Sequence, residues 1–325
     1  MPDTATSGVP KPVAKLIATH LAIHSEIPDF LYWYSDKIVE SFGAFSEKRL
    51  VPTDSNSHIF NEKGLFSREI SPLRTRLDRF TKINVFEISE VIADTCLPLI
   101  FELAENRKLG YYVPVSGQAK LNEMARDRIL DLNEQCNFKI QSQIITVEPE
   151  LFSFKAQIND VVRNQNTNFA NLFVLAGSRL GNSINPKQYL KNIYDSMSEG
   201  DYFSILQAIY SPGNEADIVL DYEEIMIDQS NSGLDDLLDE TVFPSKKMYF
   251  KWDEEKVNGV RVYSKADKDG EIFGTEIKEG QEITRFRSTR FPEMVLRKMF
   301  KEIGFKIIDI SFDEHENYAL FFLEK

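Results

Sequence analysis

The stretch Phe173-Val174-Leu175-Ala176-Gly177-Ser178-Arg179-Leu180-Gly181-Asn182 decides how this chain is read. Leu172 to Leu175 is a short, continuous apolar run, the pattern of a strand buried on both faces. Gly177 and Gly181 flank a turn. Asn185-Pro186 then supplies a helix N-cap with proline at the first helical position. Leu190, Ile193, Tyr194 and Met197 give that helix one apolar face, and Gly200 is placed to end it. Tyr202 to Ile209 is the next apolar run, so the segment reads strand, turn, helix, strand.

Toward the N-terminus the same alternation continues. Ile83, Val85, Phe86 and Ile88 make a first strand. A helix runs through Cys96, Leu99, Ile100 and Leu103, with Pro98 expected to strain its middle. Tyr111 to Val115 is a second strand, punctuated by Ser116-Gly117. Leu121, Met124, Ala125, Ile129 and Leu132 recur at helical spacing, and Ile144 to Val147 is a third strand stopped by Pro149. Strands alternating with helices predict a mainly parallel sheet covered on both faces. Upstream, residues 1–12 read as a loose tail. Residues 13–45 read as helices, carried by Ile17, Leu21 and Ile23, then, past Pro28, by Phe30, Leu31, Tyr34, Ile38 and Phe42. Residues 46–80 mix turn signals with short amphipathic pieces. Toward the C-terminus comes a β-rich region: Met248 to Trp252, Val260 to Ser264, Glu271 to Glu276 and Glu282 to Arg285. Gly259, Gly270 and Gly280 are placed as its hairpin turns. Pro292 opens a helix that Gly304 ends, and Lys306 to Phe312 and Tyr318 to Leu323 close the chain as an antiparallel pair.

The 325 residues suit about two domains. A formal net charge of −13 argues against a nucleic-acid binder and against docking on an anionic membrane. Residues 192–245 hold thirteen Asp or Glu and no Lys or Arg, which reads as a solvated acidic face. The basic run Arg285, Arg287 and Arg290 reads as its charge partner. Cys96 and Cys136 form neither a disulfide framework nor a paired metal motif, so a reducing cytoplasm is the expected setting. His20 and His24 share a helix face outside any HExxH pattern, and no metal site is expected. No apolar stretch is long enough to span a membrane.

Four segments, in order, resemble the histidine-specific S-adenosylmethionine-dependent N-methyltransferase family of the ergothioneine-pathway type. They are Tyr112-Val113-Pro114-Val115 and the stretch 173–182, then Gly280-Gln281-Glu282-Ile283-Thr284 leading to Ser288 and Phe291, and finally Ile303-Gly304-Phe305 with Asp313 and Tyr318-Ala319-Leu320. The resemblance runs over about residues 80–325 and marks the chain as a divergent member. It implies an α/β fold, a Rossmann-like class I methyltransferase core with an inserted α+β substrate domain. The expected divisions are 1–80 as the N-terminal helical part of the substrate domain, 81–212 as the core, 213–290 as the β-rich insertion, and 291–325 completing the core.

The resemblance also implies a site. Glu87, Ser89, Ser116, Glu148 and Gly177 fall at cofactor positions, and Asn182, Tyr210, Tyr222 and Ser288 at substrate positions. The chain departs from the family in four places. No glycine stands in Ser89-Glu90-Val91-Ile92-Ala93-Asp94, where a glycine-rich turn is the pattern. Ser116 replaces the ribose-binding Asp, and Glu148-Pro149 replaces Asp-Phe. Phe286 occupies the place of a substrate-binding Glu, which argues against histidine as substrate. Two functions follow as expectations. One is an S-adenosylmethionine-dependent N-methyltransferase acting on an amino acid or small amine other than histidine. The other is a methyltransferase-fold protein without cofactor, serving as a binding or partner subunit.

Overall fold

The computed structural model describes residues 11–27, 61–88, 96–165, 168–177, 179–230, 248–255 and 258–325. The described elements, in chain order, begin with α1 (Lys11–His24), α2 (Asn61–Leu77), β1 (Lys82–Ile88), α3 (Leu97–Glu105), β2 (Leu109–Ser116) and α4 (Ala119–Cys136). Next come β3 (Gln141–Ser142), β4 (Ile145–Thr146), α5 (Lys155–Val162), β5 (Phe169–Leu175), α6 (Arg179–Asn182), α7 (Pro186–Ser196) and β6 (Tyr202–Ala208). The remainder are α8 (Glu215–Ser230), β7 (Met248–Asp253), β8 (Gly259–Lys265), β9 (Gly270–Ile272), β10 (Thr275–Ile277), β11 (Glu282–Thr289), α9 (Glu293–Ile303), β12 (Lys306–Phe312) and β13 (Tyr318–Glu324). They group into two compact units. One takes the described residues of 1–48 and 212–290, the other those of 49–211 and 291–325.

The larger unit holds an eight-stranded sheet in the order β12-β13-β6-β5-β1-β2-β3, with β4 also pairing β2. β1 pairs β2 and β5 in parallel, β5 pairs β6 in parallel, and β13 is antiparallel to both β6 and β12. This is the expected Rossmann-like class I methyltransferase core, with its antiparallel strand next to the far edge. The chain builds outward from β1 on one side and then crosses to β5 on the other, so the switch point lies between them. β1, β5 and β6 are buried almost throughout, which is why they read as unbroken apolar runs. Phe86 and Phe173 are register partners and stack at 4.9 Å. They sit in a core with Ile158 of α5, Leu190 and Ile193 of α7, Leu296 and Phe300 of α9, and Phe321 of β13. By alternation, Ile83, Val85 and Glu87 face the other side of the sheet.

Several local expectations are corrected. Leu97 begins α3 with Pro98 in its first turn, where a missing N–H is no loss, so the proline does not strain the helix. The third strand is two short pieces, β3 and β4, held to β2. α7 ends at Ser196 with Met197 as its C-cap, so Gly200 belongs to the turn into β6. Lys11 and Pro12 are part of α1 rather than of a tail. The run 271–276 is not one strand, because Phe273 and Gly274 both take positive φ and turn the chain between β9 and β10. The helical reading of Phe30 to Phe42 lies outside the described residues. α2, read from sequence as part of 1–80, packs on α3 and β13 of the larger unit through an apolar side that includes Leu65, Phe66, Leu73 and Leu77. Asn185 caps α7 by accepting from Gln188 N at 3.1 Å, and Gly304 ends α9, both as read.

The smaller unit carries the antiparallel sheet β11-β8-β7 and the β9-β10 hairpin. Ile218 of α8 packs with Val260 and Val262 of β8, and Tyr222, Trp252 and Phe286 lie against them. Glu26 bridges to Thr284 at the edge of β11. Arg287 pairs with Glu26 at 3.1 Å. In the larger unit the chain leaves after Ile209 and returns at Phe291, which form a parallel bridge, and Tyr210 N donates to Phe291 O at 3.1 Å. A long insertion is compatible with the core because its two ends are adjacent there. Among the described residues no helix is long and apolar enough to cross a membrane, and no group of His, Cys, Asp or Glu is arranged to hold a metal.

Candidate functional site

In an open parallel sheet, ligands bind beyond the carboxyl ends of the strands at the switch point. Four of the five cofactor candidates stand there. Glu87 is one residue from the end of β1, Ser116 ends β2, Glu148 follows β4, and Gly177 follows β5. Ser89 lies outside the described residues.

Glu87 is buried, and the Tyr112 hydroxyl donates to its Oε2 at 2.5 Å. The pairing follows from register. Glu87 is opposite Pro114, and Tyr112 is two residues earlier on the same face of the adjacent strand. The buried Cys96 thiol also meets Glu87. Burial pushes that thiol well above its ordinary value, and the neighbouring carboxylate adds to the effect.

Ser116 closes its own turn. Its hydroxyl accepts from Gln118 N at 3.2 Å and lies 3.0 Å from Asn122 Oδ1. Asn122 Nδ2 in turn donates to Ser116 O and to Ile145 O, joining the ends of β2 and β4 to α4. A single hydroxyl so engaged does not reproduce the two acceptors of an Asp.

Glu148 anchors a buried polar cluster. Its Oε1 accepts from Glu150 N at 3.2 Å and lies 3.7 Å from the Arg179 guanidinium, with both side chains nearly inaccessible. A Cβ at Gly117 would come within 2.7 Å of Glu148 Oε2, so a larger residue there would make the carboxylate shift. Tyr189 of α7 is buried near Arg179. Burial raises its hydroxyl above the usual range, and Arg179 partly offsets that. Glu150 accepts at Oε1 from Ser183 Oγ and from Ile184 N at 2.9 and 2.8 Å, and Asn192 Nδ2 ties α7 to the Pro149 and Glu150 carbonyls.

The substrate candidates fall in both units. Tyr222 and Ser288, 66 residues apart, are joined in the smaller unit by a hydrogen bond of 2.6 Å from the Tyr222 hydroxyl to Ser288 Oγ. Phe286 lies 6.0 Å from Tyr222, ring to ring, within the apolar packing against α8. In the larger unit, Asn182 is the half-buried last residue of α6, and Tyr210 is half-buried just past β6.

Tyr112, Arg179, Tyr189 and Glu150 were not singled out from sequence. Arg179 stands inside the stretch that decides the fold, and a basic residue there, with Glu148 and Glu150 after the preceding strand, was the signal available.

No family model matches this chain, and no curated protein matches it. Solved structures do resemble it. The CurJ carbon methyltransferase aligns over 96% of this chain and 66% of its own, at 11% identity and a TM-score of 0.49. The magnesium protoporphyrin IX methyltransferase of Synechocystis PCC 6803, solved with bound SAH, aligns over 96% of this chain and 99% of its own, at 9% identity and a TM-score of 0.47. Against the citrinin polyketide synthase CMeT domain the chain spans 46% of that protein's length, at 9% identity and a TM-score of 0.42. These likenesses concern fold alone, and the class I methyltransferase fold of this chain stands on its strand order.

Proposed function

We propose that this chain binds S-adenosylmethionine at the carboxyl ends of β1, β2, β4 and β5, and methylates a nitrogen of an amino acid or small amine other than histidine. On this reading it is a divergent relative of the histidine-specific methyltransferases. The observation that carries the reading is the gathering of Glu87, Ser116, Glu148 and Gly177 at the ends of adjacent parallel strands around the switch point. The cofactor supplies an already activated methyl group, so the protein has to bind, orient and exclude water. Glu148, backed by Gly117, suits the adenine end, and Glu87 suits the polar methionine end. Tyr222 and Ser288 form a joined pair of hydroxyls suited to a polar substrate group, while Phe286 offers no acceptor to an imidazole. Calorimetric titration with S-adenosylmethionine and its demethylated product tests the reading. Saturable binding of both is expected, and the absence of heat at millimolar ligand, with no shift in unfolding midpoint, rejects it.

A second reading has its own observations. Ser116 is closed on Asn122 and Gln118, Glu148 is engaged by Arg179, and no glycine follows β1. These favour a methyltransferase-fold binding subunit that no longer takes the cofactor, and the same silent titration is what that reading requires.

A further inference from the structure

We infer that Lys325, held beside Lys155 at the end of α7, is a nucleophilic amine and a site of modification by activated acyl donors. The site lies at the amino-terminal end of β6, away from the carboxyl strand ends, and is independent of the cofactor reading. Two ammonium groups converge there on one carbonyl. Lys325 Nζ donates to Met197 O at 3.0 Å, and Lys155 Nζ donates to the same oxygen at 3.2 Å. Lys325 Nζ also donates to Tyr194 O at 2.7 Å and stands 4.3 Å from the centre of the Tyr194 ring. The backbone is pinned as well: Lys325 N donates to Asp201 O at 3.1 Å, and Lys325 O accepts from Gly200 N at 3.2 Å. The Lys325 amine is thus held close to a second positive charge.

The chemistry follows from counting donors. An ammonium carries three N–H groups. The Tyr194 and Met197 carbonyls take two of them, and a neutral amine supplies both while keeping its lone pair. Lost hydration and a like charge nearby both favour that neutral form. Burial is the larger cause here and the Lys155 charge the next, and together they hold the Lys325 amine below its ordinary value. The Tyr194 ring and the carboxylates of Asp195, Glu199 and Asp201 favour the ammonium without prevailing. Lys155 is exposed and keeps its hydration, so Lys325 is the member that gives up its proton. With an acyl phosphate, the Nζ lone pair attacks the carbonyl carbon. The bond from that carbon to the phosphate oxygen breaks, phosphate leaves with the electron pair, and the nitrogen loses a proton to water. The amide formed has a single N–H, so one carbonyl at the end of α7 loses its donor.

The test is timed acetylation of the full chain by acetyl phosphate at pH 7.5, with peptide mass spectrometry reading each lysine. Lys325 is expected to react about 3-fold faster than Lys298, although the Lys298 side chain is 79% exposed. Lys155→Met is expected to bring Lys325 to the Lys298 rate or below it. Lys155→Arg keeps the positive charge and is expected to preserve the advantage. That contrast separates activation by the neighbouring charge from simple accessibility. Should Lys155→Met fail to fold, Lys155→Gln also removes the charge and is expected to abolish the advantage in the same way. Lys325 reacting no faster than Lys298, or Lys155 outpacing Lys325, overturns the inference. So does an advantage that survives in the uncharged variants.

Discussion

Asp201 sits in the turn into β6, and its buried carboxylate makes the stability of the larger unit depend on pH. Oδ1 accepts from Asn171 Nδ2 at 3.0 Å and Oδ2 from Ser198 N at 2.7 Å. Burial outweighs these hydrogen bonds and the nearby charges of Lys155 and Lys325, and raises the group from its ordinary 3.8 to about 6. A carboxyl group with a raised folded value binds its proton more tightly in the native state. Between pH 3.8 and about 6 the native state therefore holds more protons than the unfolded chain, and stability falls as pH rises through that window. At about 1.36 kcal/mol per pKa unit the whole effect is about 3 kcal/mol, complete above about pH 6 and absent below about pH 4. Asp201→Asn removes the titration. It also turns an amide nitrogen toward either Asn171 Nδ2 or Ser198 N, a loss of about 1–3 kcal/mol at every pH. The variant is thus expected to be less stable than the wild type at pH 4, and to gain about 3 kcal/mol relative to it by pH 7.5. Urea unfolding followed by circular dichroism, with hydrogen exchange of the β5 and β6 peptides as a local probe, measures that difference. A difference that stays flat across the range, or moves toward the wild type as pH rises, refutes the reasoning.

Gly304→Ala should cost about 1–3 kcal/mol, because Gly304 has φ +118 and a new Cβ would lie 2.8 Å from the Tyr194 hydroxyl oxygen; a lowered thermal midpoint reports it. Tyr112→Phe withdraws a donor from the buried Glu87 carboxylate and should destabilise by about 1–3 kcal/mol in urea unfolding, with little change in slope. Thiol titration of the native protein should find Cys136 reactive and Cys96 silent, since the first is exposed and the second is buried beside a carboxylate; equal rates would contradict that placement.

Much of the fold was legible because it rests on burial. β1, β5 and β6 are covered on both faces, so their sequences had to be nearly continuous apolar runs, and the caps of α7 and α9 are fixed by backbone geometry at Asn185 and Gly304. α2 was read as fragments because Pro72 falls inside it and its polar residues mask the apolar side that includes Leu65, Phe66, Leu73 and Leu77. The β9-β10 turn was missed because Phe273 adopts a positive φ that no propensity assigns to phenylalanine.

At the site, the chain by itself determined where the strand ends fall, and with them the positions of Glu87, Ser116, Glu148 and Gly177. It also determined the absence of glycine after β1 and of an acid at Ser116. Tertiary structure alone decided the partners of these groups: Tyr112 for Glu87, Asn122 for Ser116, Arg179 for Glu148, and Tyr222 for Ser288. The division has a physical cause. Apolar burial follows a periodic pattern that a single strand or helix carries within itself. A buried polar group is satisfied by whichever donor or acceptor the register brings alongside, and register is a property of two segments at once.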